Sequence, residues 1–300
     1  MKRFDIDKVI NAVIVIIMVL IVFVMLYPLY FVIIASVSEP VSVVAGDVVL
    51  WPKGFSLNSY KAVFSEKSIW LGYRNSLGYT LFGTIFAMCL TIPASYVLSK
   101  KNLKFRGFIN TYFIINMFFG GGLLPTYLVV KNLHLLNKPW TLVILGAFSI
   151  YNMIVARTFF QTSIPESLYE AAEIDGCSEF GKFIRIALPL SKPILAVIAL
   201  YYAVGKWNDY YTGLVYLTNP DLQPLQLVLR TILLENANRL ANIDPSLLSG
   251  EELMYLSKQA YLAEAMKYSI IFIASFPMLV AYPFVQKHFV KGVMIGSVKG

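Results

Sequence analysis

Long apolar stretches alternate with polar intervals along the whole of this chain. Residues 9–38 contain no charged side chain, and residues 75–99, 108–130, 140–160, 194–217 and 268–285 are similarly apolar. A run of about 20 such residues crosses roughly 30 Å of hydrocarbon as a helix. The pattern therefore predicts an all-α integral membrane protein with six transmembrane helices and both termini on one side. The first stretch is too long for a cleaved signal, whose apolar core runs only about 7–15 residues, so it reads as an anchoring span with Pro28 kinking or ending its regular part.

The polar intervals complete the organisation: a short basic start (1–8), an external loop (39–74), and a core (75–289). The core includes a polar loop at 164–193 and an external segment at 218–267, and a basic tail (290–300) follows. Lysine and arginine flank the spans more densely on the side of the start, of the turn holding Lys100, Lys101, Lys104 and Arg106, and of the 164–193 loop. That bias places these parts in the cytoplasm. Gly120-Gly121-Gly122 and Pro125 interrupt the third stretch. Each glycine costs about 1 kcal/mol against alanine in a helix interior, so this stretch predicts close packing, a hinge or a broken helix.

Composition narrows the class further. Of the 300 residues 58% are hydrophobic and 14% charged, against about 25% charged in soluble domains. The net charge of +8 comes without a basic stripe interleaved with aromatics, so nucleic acid is not an expected partner. Cys89 lies in a span and Cys177 in a loop, which suits neither a metal site nor a redox pair. His134 and His288 have no clustered ligands, and no nucleophilic triad can be assembled. Gly176 to Lys182 has phosphate-loop spacing, but Phe183 stands where a magnesium-binding hydroxyl is needed and no strand precedes it. Catalytic residues are therefore expected to be absent, as are a bound cofactor and a metal.

The 164–193 loop carries the strongest signal. A helix is expected from Pro165 or Glu166 to Asp175, with Gly176 permitting a reversal and a second helical run from Ser178 towards Leu188 and Pro189. Glu170, Ala171 and Ala172, then Gly176, then Ile186, Leu188 and Pro189 stand at fixed spacing. This is similar to the EAA loop of ABC-importer permeases. Together with Trp207-Asn208-Asp209 and the ending from Val290 to Gly300, the likeness extends over most of the chain. It resembles the carbohydrate branch, and within it the group associated with complex oligosaccharides such as aldouronates.

The resemblance implies the permease fold of type I ABC importers, with ATPase coupling through Glu170, Ala171, Ala172, Asp175, Gly176, Ile186, Leu188 and Pro189. It implies a second permease chain, two copies of a cytosolic ATPase that hold the ATP and magnesium, an extracytoplasmic solute-binding protein, and a bacterial plasma membrane. An ion-coupled carrier or channel is the alternative.

Within the spans, ionisable side chains cost at least about 2.5 kcal/mol and usually face a partner or a cavity. Lys206 and Asp209, at i and i+3, either pair on one helix face or belong to a polar path formed by Trp207, Asn208 and Asp209. Asn116, Tyr151 and Asn152 are weaker candidates for that path, with interhelical hydrogen bonding as the other reading.

Overall fold

The computed structural model describes residues 6–241 and 250–297. Among them no strand forms; Ser38 and Phe55 make one isolated antiparallel bridge. Contacts divide the chain into two units, residues 1–67 with 229–276, and residues 68–228 with 277–300.

The first unit contains α1 (Ile6–Ser36), α2 (Pro40–Val44) and α3 (Asn58–Ser65). Helix α1 continues through Pro28 without ending there. Within its apolar stretch, Ile10–Ser36, an 18-residue window of mean hydropathy 3.1 has none of its residues buried. Only its last turns pack, where Ile34 and Ala35 meet Val43 and Val48, with Phe31 and Tyr268 alongside. Ser269 Oγ donates to Ser36 O at 3.3 Å, and Tyr60 OH donates to Ser36 Oγ at 2.9 Å. The interval expected to be loop (39–74) thus holds two short helices, and a third begins within it.

That third helix, α4 (Lys67–Ser99), belongs chiefly to the second unit and starts well before residue 75. Lys67 and Arg74 made its first turns look like loop, yet Ile69 is fully buried there. Gly72 also lies so close to Leu225 that a Cβ would stand 3.0 Å from the Leu225 Cα. The third apolar stretch breaks into α5 (Arg106–Phe118) and α6 (Leu123–Asn132), inclined at 110°. Gly122 has φ 81° and ψ 177° at the break, a combination available essentially to glycine alone. The fourth stretch divides into α7 (Pro139–Ile144) and α8 (Ile150–Ser163).

The chain then forms α9 (Glu166–Ile174), α10 (Glu179–Lys182), a π turn (Phe183–Ala187) and α11 (Leu188–Leu190). The 179–190 run meets α12 (Lys192–Trp207) at 83°. Pro189 lacks the N–H that would bond Arg185 O and its ring crowds that carbonyl. The wider π turn answers this, with Leu188 N donating to Phe183 O. A short α13 (Tyr211–Tyr216) and a 3-10 turn (Pro220–Leu222) lead to α14 (Leu225–Ala241) and α15 (Gly250–Ser297).

Expected external segment 218–267 is therefore largely helical, and α15 begins well ahead of the sixth stretch at 268. Among the described residues three helices are long and apolar enough to cross a membrane, and up to 5 spans result if each bent pair is one span. The core of the second unit joins α4, α8, the π turn and α12, through Ala87, Tyr96, Phe160, Phe183 and Ile198 among others.

Candidate functional site

The polar loop is built from its caps outward. Pro165 stands in extended conformation just before α9, so the helix proper opens at Glu166, whose carboxylate suits a helix start. The other end closes at Gly176, where φ is 74°. Cys177 N donates to Ala172 O at 2.8 Å and Gly176 N to Glu173 O at 3.0 Å, the paired bonds of a Schellman ending. Ser178 then caps α10 by accepting from Gly181 N.

Charged pairs fix this helical elbow. Lys182 Nζ is buried and donates to Glu173 Oε2 at 2.8 Å and Glu179 Oε1 at 2.9 Å. The hydrogen bond from Lys182 holds Glu173 below its ordinary carboxylate value, and the bonds to Glu173 and Glu179 hold Lys182 above the ordinary lysine value. From the end of α4, Lys100 Nζ lies 3.6 Å from the centre of the Tyr169 ring and 4.6 Å from that of Tyr96. Lys101 Nζ reaches Glu166 Oε2 at 2.5 Å. Burial lowers Lys100, against the opposing pull of Glu179, and burial pushes Tyr169 up to about 12.

The predicted loop residues fall on different faces. Glu170, Ala171, Asp175, Gly176 and Pro189 are exposed, and Ile186 and Leu188 are half-buried. Ala172 is turned inward at 9% exposure, so it packs on its own chain. Two apolar side chains outside the set of Glu170 to Pro189 site candidates stand out from the elbow: Ile174 is 87% exposed and Phe180 73%. They sit on either side of Gly176 and are more exposed than Leu168, Ile184 and Leu190 of the same loop.

A second site lies where two helices stop short. A cleft of about 400 Å³ is lined by Leu145, Gly146, Ser149, Asn152, Tyr201, Tyr202, Gly205, Lys206 and Asp209. Tyr201, Gly205 and Asp209 recur every fourth residue, the spacing that places side chains on one helix face. Asn152 is buried at the start of α8, where Ser149 Oγ accepts from its backbone N. Asp209 Oδ1 caps the next turn by accepting from Thr212 N at 3.0 Å. Tyr202 OH accepts from Ser149 N at 2.9 Å and shares a 2.6 Å bond with Thr91 Oγ1, joining α4, α8 and α12.

Of the candidate path residues, the structure brings Asn152 and Asp209 together in this cleft. The others lie elsewhere. Asn116 donates to Tyr112 O on its own helix, and Tyr151 is 58% exposed, outside the cleft lining. Trp207 is 1% exposed with its ring 6.0 Å from Tyr73, so it is core rather than wall. Asn208 is exposed at the end of α12 and donates to Val204 O. Lys206 does not pair with Asp209; its ammonium reaches Leu142 O at 2.6 Å, Val143 O at 3.3 Å and Leu145 O at 2.5 Å. Tyr201 and Ser149 were missed, though the four-residue spacing back from Asp209 pointed to Tyr201. Among the described residues no group of acidic, histidine or cysteine side chains could hold a metal ion.

These features can be set beside known proteins. The chain is 39% identical to Protein LplC of Bacillus subtilis (strain 168) over 273 residues, 91% of this chain and 89% of that protein. It is 38% identical to YtcP of the same organism, a permease protein of a polygalacturonan/rhamnogalacturonan transport system, covering 91% of this chain and 92% of that one. A chain from the crystal structure of a bacterial ABC transporter involved in the import of the acidic polysaccharide alginate is 28% identical. It superposes with a TM-score of 0.83, over 95% of this chain and 98% of that chain. An apolar multi-helix chain with a short exposed helix between two bent spans fits the family whose pattern matches residues 67–295, and the protein belongs to the inner membrane components of binding-protein-dependent transport systems.

Proposed function

We propose that this chain is the permease subunit of an ATP-driven importer that moves a carbohydrate, most simply an oligosaccharide, across a bacterial plasma membrane. The observation that carries the reading is the α9–α10 elbow. It presents Ile174, at the end of α9, and Phe180, on α10, to solvent, and the elbow is pinned to the end of α4 by Lys100 and Lys101. An apolar pair standing on a charge-fixed helical elbow is suited to a partner's groove, and here the partner is a cytosolic ATPase that holds the ATP and magnesium. A second permease, of a different sequence, completes the path, and a solute-binding protein delivers the sugar from outside.

In that reading, closure of the ATPase pair moves the elbow, and α4 and the π turn carry the displacement into the core that borders the cleft. Asn152, Asp209 and Tyr201 give the cleft hydrogen-bonding groups and an aromatic face, the combination that polyhydroxylated rings require. The chain itself performs no hydrolysis.

Affinity co-purification from solubilised membranes tests the proposal, with wild type beside Glu170→Lys and Ile174→Asp. The ATPase and second permease are expected to accompany wild type, and the ATPase to be lost from both variants while the second permease stays. A chain that purifies alone and still moves solute in liposomes along an ion gradient would replace this reading by the ion-coupled one.

A further inference from the structure

Lys206 is a buried ammonium near the end of α12, a helix of one of the two bent apolar pairs, and all of its donors are accounted for. A lysine head has three N–H donors and accepts nothing. The structure supplies three acceptors, the carbonyls of Leu142, Val143 and Leu145. These three oxygens are what α7 leaves over at its end. The amides that follow the helix donate elsewhere, Leu145 N to Thr141 O and Ala147 N to Ile144 O. Terminal helix carbonyls have no partner within the helix, and in hydrocarbon an unmet one costs several kcal/mol. A cation is the most favourable cap for that end.

The ammonium's position has a consequence for the cleft. Leu145, Gly146 and Ser149, in the bend between α7 and α8, form one wall; Tyr201, Gly205 and Asp209 form the other. Lys206 lies on the second wall and holds the first by its backbone. Its stem runs over Gly83 of α4, where a Cβ would stand 3.1 Å from both Lys206 Cδ and Cε. The stem is thus confined by a helix without a side chain at that point, and the head has one place to go.

We propose that Lys206 is a positioning residue of the cleft: its ammonium, seated in three backbone carbonyls, fixes the 145–149 bend as a wall of the solute path. The assignment of the cleft to that path rests on the function proposed above; the seating of the bend by Lys206 does not. Lys206 has no donor left for a solute, so it acts through the wall and not by contact. The reason for a lysine here is geometric, because a chain of four methylenes reaches across two helices while ending in three donors.

The test reads the bend directly. In full-length chain lacking native cysteines (Cys89→Ser, Cys177→Ser), Leu145→Cys places a thiol on the wall without removing the carbonyl that Lys206 uses. Its modification rate by a methanethiosulfonate reagent is measured in native membranes. Adding Lys206→Met keeps the stem and deletes the donors; the rate is expected to rise about tenfold, the scale of losing hydrogen bonds to a charged group. Lys206→Ala is expected to respond to methylammonium, which returns the rate towards that of the parent, and not to tetramethylammonium, which has no N–H.

A parent-like rate in Lys206→Met overturns the proposal, since the stem alone then suffices. If Lys206→Met fails to accumulate, Lys206→Ala expressed with methylammonium decides: recovered accumulation supports the ammonium's role, and none overturns it. Labelling needs no sugar, ATPase or binding protein. A changed rate together with no protection of the thiol by transported solute would refute the solute path and leave the seating of the bend standing.

Discussion

At the scale of single residues, the two sites depend on backbone geometry that side-chain type only partly reveals. Gly176 was readable, because a helical run that must reverse needs a residue free to take a positive φ, and 74° is what it takes. Its surroundings are open, with nothing within 4 Å of where a Cβ would stand, so the whole penalty for a side chain is conformational. Gly176→Ala should therefore cost about 1–2 kcal/mol, the left-handed penalty of an L-residue. Hydrogen-exchange protection of the amides of Asp175, Gly176 and Cys177 is expected to drop roughly tenfold, with the rest of the chain unchanged; unaltered protection would show that the ending does not depend on glycine. Lys206 was not readable in the same way. Its charge announced a partner, and Asp209 was the nearest candidate by spacing, but the true acceptors are carbonyls exposed by a helix end that no side chain marks.

Elements show the same division. The helices with unbroken apolar runs, α1 and the body of α4, lie where hydropathy places them, and the glycine run at 120–122 marked the break between α5 and α6. The break after Ile144 escaped: it contains a single glycine, Gly146 at φ 69°, in a stretch that reads as continuously apolar. Helix α15 escaped for the opposite reason, since its first turns are charged and hydropathy alone treats them as loop.

The α9–α10 elbow is an element whose stability can be read from its charges. Glu173 is depressed by the hydrogen bond from Lys182, and Lys182 is raised by its bonds to Glu173 and Glu179. The carboxylate's contribution is complete above the ordinary value for an unfolded glutamate, and it is lost as pH falls through the lowered folded value. The lysine's contribution is complete below the ordinary lysine value, and it is lost as pH rises through the raised folded value. The elbow should hold at neutral pH and loosen on the acid side first, as exchange protection of the Cys177–Lys182 amides, corrected for intrinsic rate, would report. Lys182→Met should abolish that acid transition, and its persistence in the variant would mean other groups hold the elbow.

For the molecule as a whole, the sequence says more about orientation than the fold does. Helix α1 meets little of its own chain, as expected of a span that borders lipid or another subunit, and nothing in its packing tells one membrane face from the other. The lysines and arginines do. Lys100, Lys101, Lys104 and Arg106 crowd a short turn, and a short basic turn is expected on the cytoplasmic side. The same lysines hold the elbow, through Tyr169 for Lys100 and Glu166 for Lys101, so the turn and the elbow must share a side. A thiol at Phe180, which is 73% exposed, and one at Trp51, which is 75% exposed, separate the possibilities in a chain without native cysteines. An impermeant maleimide is expected to modify Trp51→Cys in right-side-out vesicles and Phe180→Cys only in inside-out ones. Adding the ATPase should then shield Phe180→Cys and leave Trp51→Cys unchanged. Labelling of Phe180→Cys from outside would invert the topology and remove the elbow from any cytosolic partner, because a docking surface on the wrong face of the membrane cannot couple to ATP.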